Sequence, residues 1–515
     1  MTCLKSSAAF LLLLLLFQIS SAQPATSLPH SIPEKEGVSS TGIISFLDAA
    51  GKSKNEFHSI MILRHGKVIA EGWWNPYRAD LKHTMYSCSK SFTATAVGFA
   101  VQEKLLTVND KVVSFFPNEL PDTVNPYLAQ LTVKDVLSMT DGQEPDPTFT
   151  TVTRDDNWVK SFLATRIVHE PGTKFLYNTL GTYMLSAILQ KVTGQREIDY
   201  LKPRLFEPLG IKNIDWEEDT KGINTGGWGL RINTEGMAKF AQLFLQKGKW
   251  NGKQILSETW IDEASTMKIM QDPDAPQSKK DSSDWLQGYC YQMWRCRNNA
   301  YRGDGAFGQY MIILPEKDAV IAITAETANM QDEINLVWEY LLPSFKNDKL
   351  PDDKKMSDVL KQRLNMLALP LSPKNKSAIE STISGKTFEL ESNSKHLKKI
   401  SLSFANNICH FTLTTDTAVY KLDFGNGSWQ KAETNKPGPS LLSTAKENFA
   451  VLARPKVAAS YHWNDPETLE LVLRYIESPH TETFTCHFDK KDLALSITNS
   501  FDFGTKKTEI KGLMK

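Results

Sequence analysis

Apolar and polar positions along this chain fall into blocks of different period. Residues 59–64 and 67–72 flank His65-Gly66 and predict a β-hairpin. Tyr86 opens a segment in which, beyond Lys90, no charge appears before Glu103, while Phe92, Ala94, Ala96, Val97, Phe99, Ala100 and Val101 fill it. A helix apolar nearly all round belongs inside a domain core. Residues 106–110 and 131–137 each read as the capped start of a short helix. Pro171-Gly172-Thr173 then leads into a helical pattern that runs to Val192 and stops at Gly194. A further helix is predicted over 235–246, after the glycine-rich 226–230. Residues 288–295, 309–314 and 319–324 read as consecutive strands, the last two joined by a turn at 315–318. Strands at both ends with helices between them predict an α+β domain: one antiparallel sheet assembled from the two ends and packed against a helical region.

Around 347–376 the text becomes charged and proline-containing, with one amphipathic helix over 355–367, and reads as a linker. Beyond it come short alternating strands at 399–404, 410–413, 418–423, 468–475, 482–489 and 493–497. That spacing predicts an all-β barrel or sandwich. The expected organisation is therefore a signal segment at 1–22, a first domain at 23–345, a linker at 346–376 and a β domain at 377–515.

The signal segment rests on Lys5, the apolar run 8–17 and the small residues Ser20 and Ala22, which suit cleavage before Gln23. The run is too short to span a bilayer, so the mature protein is expected to be exported and soluble, periplasmic or extracellular, with no stable membrane insertion. With 59 basic and 59 acidic residues the formal charge is zero, and no field recruits nucleic acid. At 515 residues, two or more domains are expected. Loss of Cys3 leaves five cysteines, of which Cys409 and Cys486 stand in strand-like text where a pairing is open. Cys88 reads as a small buried filler.

The chemistry lies in Tyr86-Ser87-Cys88-Ser89-Lys90-Ser91-Phe92. Three residues apart on a helix, Ser87 and Lys90 lie one turn apart on the same face. Burial and the positive end of the helix dipole both disfavour a protonated amine there, so it can take the serine's proton near neutral pH. That is one route to a nucleophilic hydroxyl. The spacing alone is weak, since Ser-x-x-Lys also occurs at Ser265, Ser392, Ser428 and Ser443; only Ser87 begins an uncharged helix.

The segment resembles the serine β-lactamase and penicillin-binding-protein superfamily, and more closely its class C β-lactamase-related branch of esterases, D-peptidases and nylon-oligomer hydrolases. The similarity runs from about His58 to Thr327 and includes 131–142, the Pro171-Gly172-Thr173 approach to Tyr177, and 226–240. The resemblance implies a β-lactamase-like fold and a serine hydrolase that passes through an acyl-enzyme on Ser87. It assigns Tyr177 as the proton relay, a general base in acylation whose phenol a lysine cation would lower. It places the oxyanion hole at the backbone N–H groups of Ser87 and Ala306. Substrate contacts would come from Asn178, Thr179, Arg302, Asp304, Gly305 and Gln309. The match departs from the family at Thr179, where its Tyr-x-Asn motif has asparagine. It departs again at Gly303-Asp304-Gly305-Ala306, which replaces the cationic strand motif and leaves Arg302 as the nearest cation. Arg302 reads equally as an ordinary surface charge, and Gln309 as a solvent-facing strand residue.

The expected substrate is a small ester, amide or peptide; oligomeric state is left open. A D,D-peptidase acting on cell-wall peptides and a penicillin-binding-fold receptor without turnover are the alternatives, with a C-terminal binding module as a third. There is no Gly-x-Ser-x-Gly elbow, no His-Glu-x-x-His and no metal spacing among ten histidines, so neither metal nor cofactor is expected. His169, His480 and His487 read as surface or packing residues.

Overall fold

The computed structural model describes residues 27–515, so the predicted signal segment lies outside the described residues. The first half is built on a six-stranded sheet made of β1 (Glu56–Arg64), β2 (Lys67–Trp73), β3 (Trp294–Arg295), β4 (Tyr301–Gly305), β5 (Gln309–Leu314) and β6 (Ala319–Glu326). Their spatial order is β2-β1-β6-β5-β4-β3, every pair antiparallel. Both ends of this region thus meet in one sheet, as the pattern predicts.

Side-chain alternation fixes which face each strand shows. Ile60, Ile62, Ile312, Ile321 and Ile323 point to one core, while Met61, Leu63, Met311, Ile313 and Val320 point to another. A slip of one residue would exchange the two sets, so register is firmly specified. The first core is covered by α1 (Ser40–Lys52), the second by α2 (Ser89–Gln102), α3 (Thr179–Thr193) and α4 (Thr234–Leu245). Local chemistry sets the helix ends. Asn178 and Asn233 cap α3 and α4 by accepting from Gly181 N and Gly236 N, and Gly194 closes α3 at φ 68°.

Two expectations in this half change. Residues 106–110 form a turn, and the short helix begins only at Val112. Of 288–295, only Trp294–Arg295 is strand, because Gly288 and Gln292 take positive φ values of 103° and 57° and break the extended backbone.

The linker helix α5 (Lys354–Asn365) is docked rather than free. Gly72 of β2 lies so close to it that a Cβ would sit 3.1 Å from Leu364 Cδ2 of the helix. The second half is a barrel, not a sandwich, with ten strands where six are legible in the sequence: β7 (Lys386–Leu390), β8 (Leu397–Ala405), β9 (Ile408–Thr415), β10 (Val419–Asn426), β11 (Gln430–Glu433), β12 (Lys456–Asp465), β13 (Thr468–Tyr475), β14 (Thr481–Asp489), β15 (Asp492–Asn499) and β16 (Thr508–Met514). Strand β12 escapes the sequence pattern because five successive residues, Val457–Tyr461, are all buried, which erases alternation. Gly425 and Asn426 of β10 pair parallel with Ser460 and Tyr461 of β12 and close nine strands, leaving β11 as an outer addition on β12. Cys409 and Cys486 both face the barrel core as free thiols, as do all five cysteines of the described residues in their own settings, so no disulfide forms.

Candidate active site

Ser87 sits in a single 3₁₀ turn, Tyr86–Cys88, that runs straight into α2. Tyr86 has φ 46°, an uncommon conformation for a bulky residue that has to be held in place by its surroundings. The local hold is dense. Ser89 Oγ donates to Tyr86 O (2.6 Å) and accepts from Leu230 N (3.2 Å), and Met85 N donates to Leu230 O (2.9 Å). The end of β4 crosses this turn so closely that a Cβ on Gly305 would lie 2.1 Å from Met85 O. Cys88 is buried, and its thiol, pushed well up by burial, donates to Gln309 O (3.2 Å). It is the filler the sequence suggests.

Lys90 is 1% exposed. Its Nζ donates to Gly227 O (2.7 Å) and Thr179 Oγ1 (3.2 Å) and lies 5.1 Å from the Tyr177 ring centre. Burial lowers its pKa to about 7, against an opposing pull from Asp146 and Asp304. The Tyr177 phenol faces the Ser87 side chain, and its ring stacks on Trp294 at 5.5 Å. Its phenol is driven well above its usual value by burial, then by the Asp304 charge. The net shift of the phenol is therefore upward, opposite to the lowering the resemblance implies. Ser87, Lys90, Tyr177 and Thr179 therefore come together as one cluster.

The remaining sequence candidates divide. Asn178 is buried as the cap of α3, and its amide donates to Asp141 (2.9 Å) and Gln143 (2.9 Å), so it serves the helix rather than a substrate. Gln309 is buried as well, clamping Ala306 O and Ala325 O, which corrects the solvent-facing reading and the substrate contact together. Arg302 is wholly buried rather than a surface charge: its guanidinium pairs with Asp304 at 2.8 Å, donates to Asp284 O, and lies 4.4 Å from the Trp285 ring centre. Asp304 and Gly305 sit beside the Ser87 turn, Gly305 against Met85 O and Cys88 N. Ala306 follows them in the turn between β4 and β5, partly open to solvent.

Several groups at the site carry no local sequence signal. Trp294, Tyr289 and Phe175 wall one side around Tyr177. His480, read as surface or packing, is fully buried against Tyr86, whereas His487 is exposed and His169 half-exposed. Among the described residues no group of three or more His, Cys, Asp or Glu could hold a metal ion, and no helix is long and apolar enough to cross a membrane.

The loop that accepts the Lys90 proton donor is itself braced from the barrel. Trp228, next to Gly227, donates through Nε1 to Glu447 Oε1 (3.0 Å), and the Glu217 carboxyl faces the same Glu447. Burial, then the Glu217 charge, push Glu447 up to about 10. The folded protein thus keeps a proton that the unfolded chain loses above the ordinary glutamate range, so stability falls as pH rises from about 4.5 towards 10. Glu447→Gln is expected to flatten that decline and raise the melting temperature at pH 8 by a few degrees, with no gain at pH 4. Thermal melts at the two pH values check it; equal slopes for both proteins would refute the assignment.

The sequence model of the beta-lactamase family matches residues 58–341. The chain is 25% identical over 285 residues to the 6-aminohexanoate-dimer hydrolase of Paenarthrobacter ureafaciens, covering 51% of this chain and 71% of that protein. It is 27% identical over 173 residues to protein flp of Staphylococcus aureus strain MW2, covering 31% of this chain and 34% of that one. Among solved structures, the putative 6-aminohexanoate-dimer hydrolase from Bacillus anthracis superposes with a TM-score of 0.51 at 21% identity, over 63% of this chain and 89% of its own, a likeness of fold.

Proposed function

The chain belongs to the beta-lactamase family, and from that premise we propose that it is a serine hydrolase that cleaves a neutral ester or amide through an acyl-enzyme on Ser87. One observation carries the reading: a fully buried lysine, its pKa lowered by burial to about 7, stands one helical turn from a half-exposed serine whose side chain faces a buried tyrosine. Near neutral pH the amine of Lys90 is partly uncharged, so this cluster can hold the proton that Ser87 gives up as it attacks the carbonyl. Tyr177, facing Ser87, passes the proton on and returns it to the leaving group; its raised pKa keeps it a neutral hydroxyl between transfers. Ser87 N–H and Ala306 N–H face the developing oxyanion, a contribution of about 10²–10³ in rate in comparable sites. Water then releases the acyl group by the reverse proton route.

Neutral substrates are favoured over β-lactams because Arg302, the cation nearest the strand end, is neutralised by Asp304 and shut inside the protein. The relative's activity on a 6-aminohexanoate dimer puts linear amides in the test set beside short acyl esters. Export through the 1–22 segment belongs to the same proposal, which places this chemistry outside the cytoplasm.

The test is a fluorophosphonate label with peptide mapping, followed by turnover of esters, linear amides, D-Ala-D-Ala peptides and a β-lactam. Labelling at Ser87 with multiple ester turnovers supports the reading. A label that maps elsewhere contradicts it, and a Ser87 adduct that never clears indicates a receptor. Because the productive amine is the uncharged one, the acylation rate is expected to rise as pH passes through about 7 and then level off. A rate that falls across that interval would remove Lys90 from the role.

A further inference from the structure

The hairpin between β13 and β14 of the barrel is driven into the first domain beside Ser87. Glu477 O accepts from Thr84 N (3.0 Å) and Thr84 Oγ1 (3.2 Å), and Ser478 O accepts from Tyr77 OH (3.1 Å). Behind it, Arg474 forms an ion pair with Glu56, whose carboxyl burial would raise but the guanidinium and His58 hold well below the usual range. At the base of its turn, where Tyr475 N donates to His480 O (3.0 Å), stands His480, 0% exposed. Its Nδ1 is 2.6 Å from Glu326 Oε1 at the end of β6, and the same oxygen accepts from Ser500 Oγ (2.8 Å). A carboxylate only accepts, so Nδ1 carries a proton towards Glu326, and Nε2 is hydrogen-bonded to the Tyr86 hydroxyl.

The ring of His480 also meets Phe307 edge-on at 4.7 Å, and Phe307 lies 5.4 Å from Tyr86. Tyr86 immediately precedes Ser87; Phe307 immediately follows Ala306. Both are aromatic residues in the left-handed region, at φ 46° and φ 68°. Such conformations cost roughly 1–3 kcal/mol each and persist only where the surroundings impose them. One imidazole from the barrel therefore touches the strained neighbour of each backbone N–H that the proposed reaction needs.

Resting on the hydrolase reading above, we propose that His480 is a positioning residue for the oxyanion hole: it sets the separation of the Ser87 and Ala306 N–H groups by holding Tyr86 through a hydrogen bond and Phe307 through ring contact, with Glu326 fixing its own orientation. The barrel is then a working part of the catalytic site. The interaction acts on a charge that develops only in the transition state, so its loss lowers kcat and leaves KM nearly unchanged.

The experiment uses the full chain and four variants: His480→Leu, His480→Gln, Tyr86→Phe and the double variant Tyr86→Phe/His480→Leu. Measured are kcat and KM for an activated ester, the rate of fluorophosphonate labelling at Ser87, and the melting temperature. His480→Leu and Tyr86→Phe are each expected to lose about 10- to 100-fold in kcat and in labelling rate, with KM within about three-fold. The double variant is expected to be no worse than the poorer single one, because both break one connection. His480→Gln, whose amide can still accept the phenol's hydrogen bond, is expected to recover most of the rate. Tyr86→Phe keeps its ring, so a matching loss there without a fall in melting temperature separates positioning from mere stability. Wild-type kcat in Tyr86→Phe, fully additive losses, or no recovery by glutamine would each overturn the inference while leaving a labelled Ser87 intact. An unlabelled wild type would overturn the hydrolase reading and this inference with it.

Discussion

Ser87→Ala should abolish turnover of an activated ester, by about 10³- to 10⁶-fold, and remove fluorophosphonate labelling while leaving the melting temperature close to wild type. The hydroxyl is the atom that would attack, and nothing else at the site replaces it: Cys88 is buried with its thiol raised by burial and turned to Gln309 O. The turn should survive, because its hold comes from Ser89, Leu230 and Met85, whose bonds do not involve the Ser87 side chain. A variant that retained a tenth of the wild-type rate would rule Ser87 out as nucleophile.

Lys90 should be nearly as sensitive, and the choice of substitution makes the test sharp. Lys90→Met keeps the bulk of the stem and loses the amine; Lys90→Arg keeps a cation that cannot discharge at any working pH. If the role is to be uncharged and accept a proton, both should fall by about 10²–10⁴ and both should lose the limb near pH 7. If Lys90 only supplied a positive charge, arginine would retain much of the rate. Its burial between Gly227 O and Thr179 makes the first outcome the expected one. Kinetics for the two variants across pH 5–9 decide between them.

The nucleophile helix was legible because its signal is local: an uncharged run, a helical spacing between Ser87 and Lys90, and only one such context among five Ser-x-x-Lys spacings. The strands at 309–314 and 319–324 were legible for the same reason, since short turns and apolar runs need no distant partner to be read. The sequence misleads where a polar side chain's partner lies far away. Arg302 looks like a surface cation until Asp304 and the Trp285 ring enclose it, and Gln309 looks exposed until Ala325 is brought alongside. Asn178 stands one place from a motif position, yet its work is done at the first turn of α3. Missed strands such as β12 failed for a different reason, since burial of both faces removes the alternation that would have marked it.

The bond between Tyr86 and His480 joins residues 394 positions apart. At about 5–20 residues per second of synthesis, the Ser87 segment emerges about 20–80 s before the histidine proposed to brace it. A growing or prematurely clipped polypeptide would thus display the whole Ser-x-x-Lys signature and, on the inference above, turn over about 10- to 100-fold more slowly than the full chain. On that inference full activity would be a late event in the life of the molecule, tied to the arrival of a hairpin that carries no catalytic motif of its own.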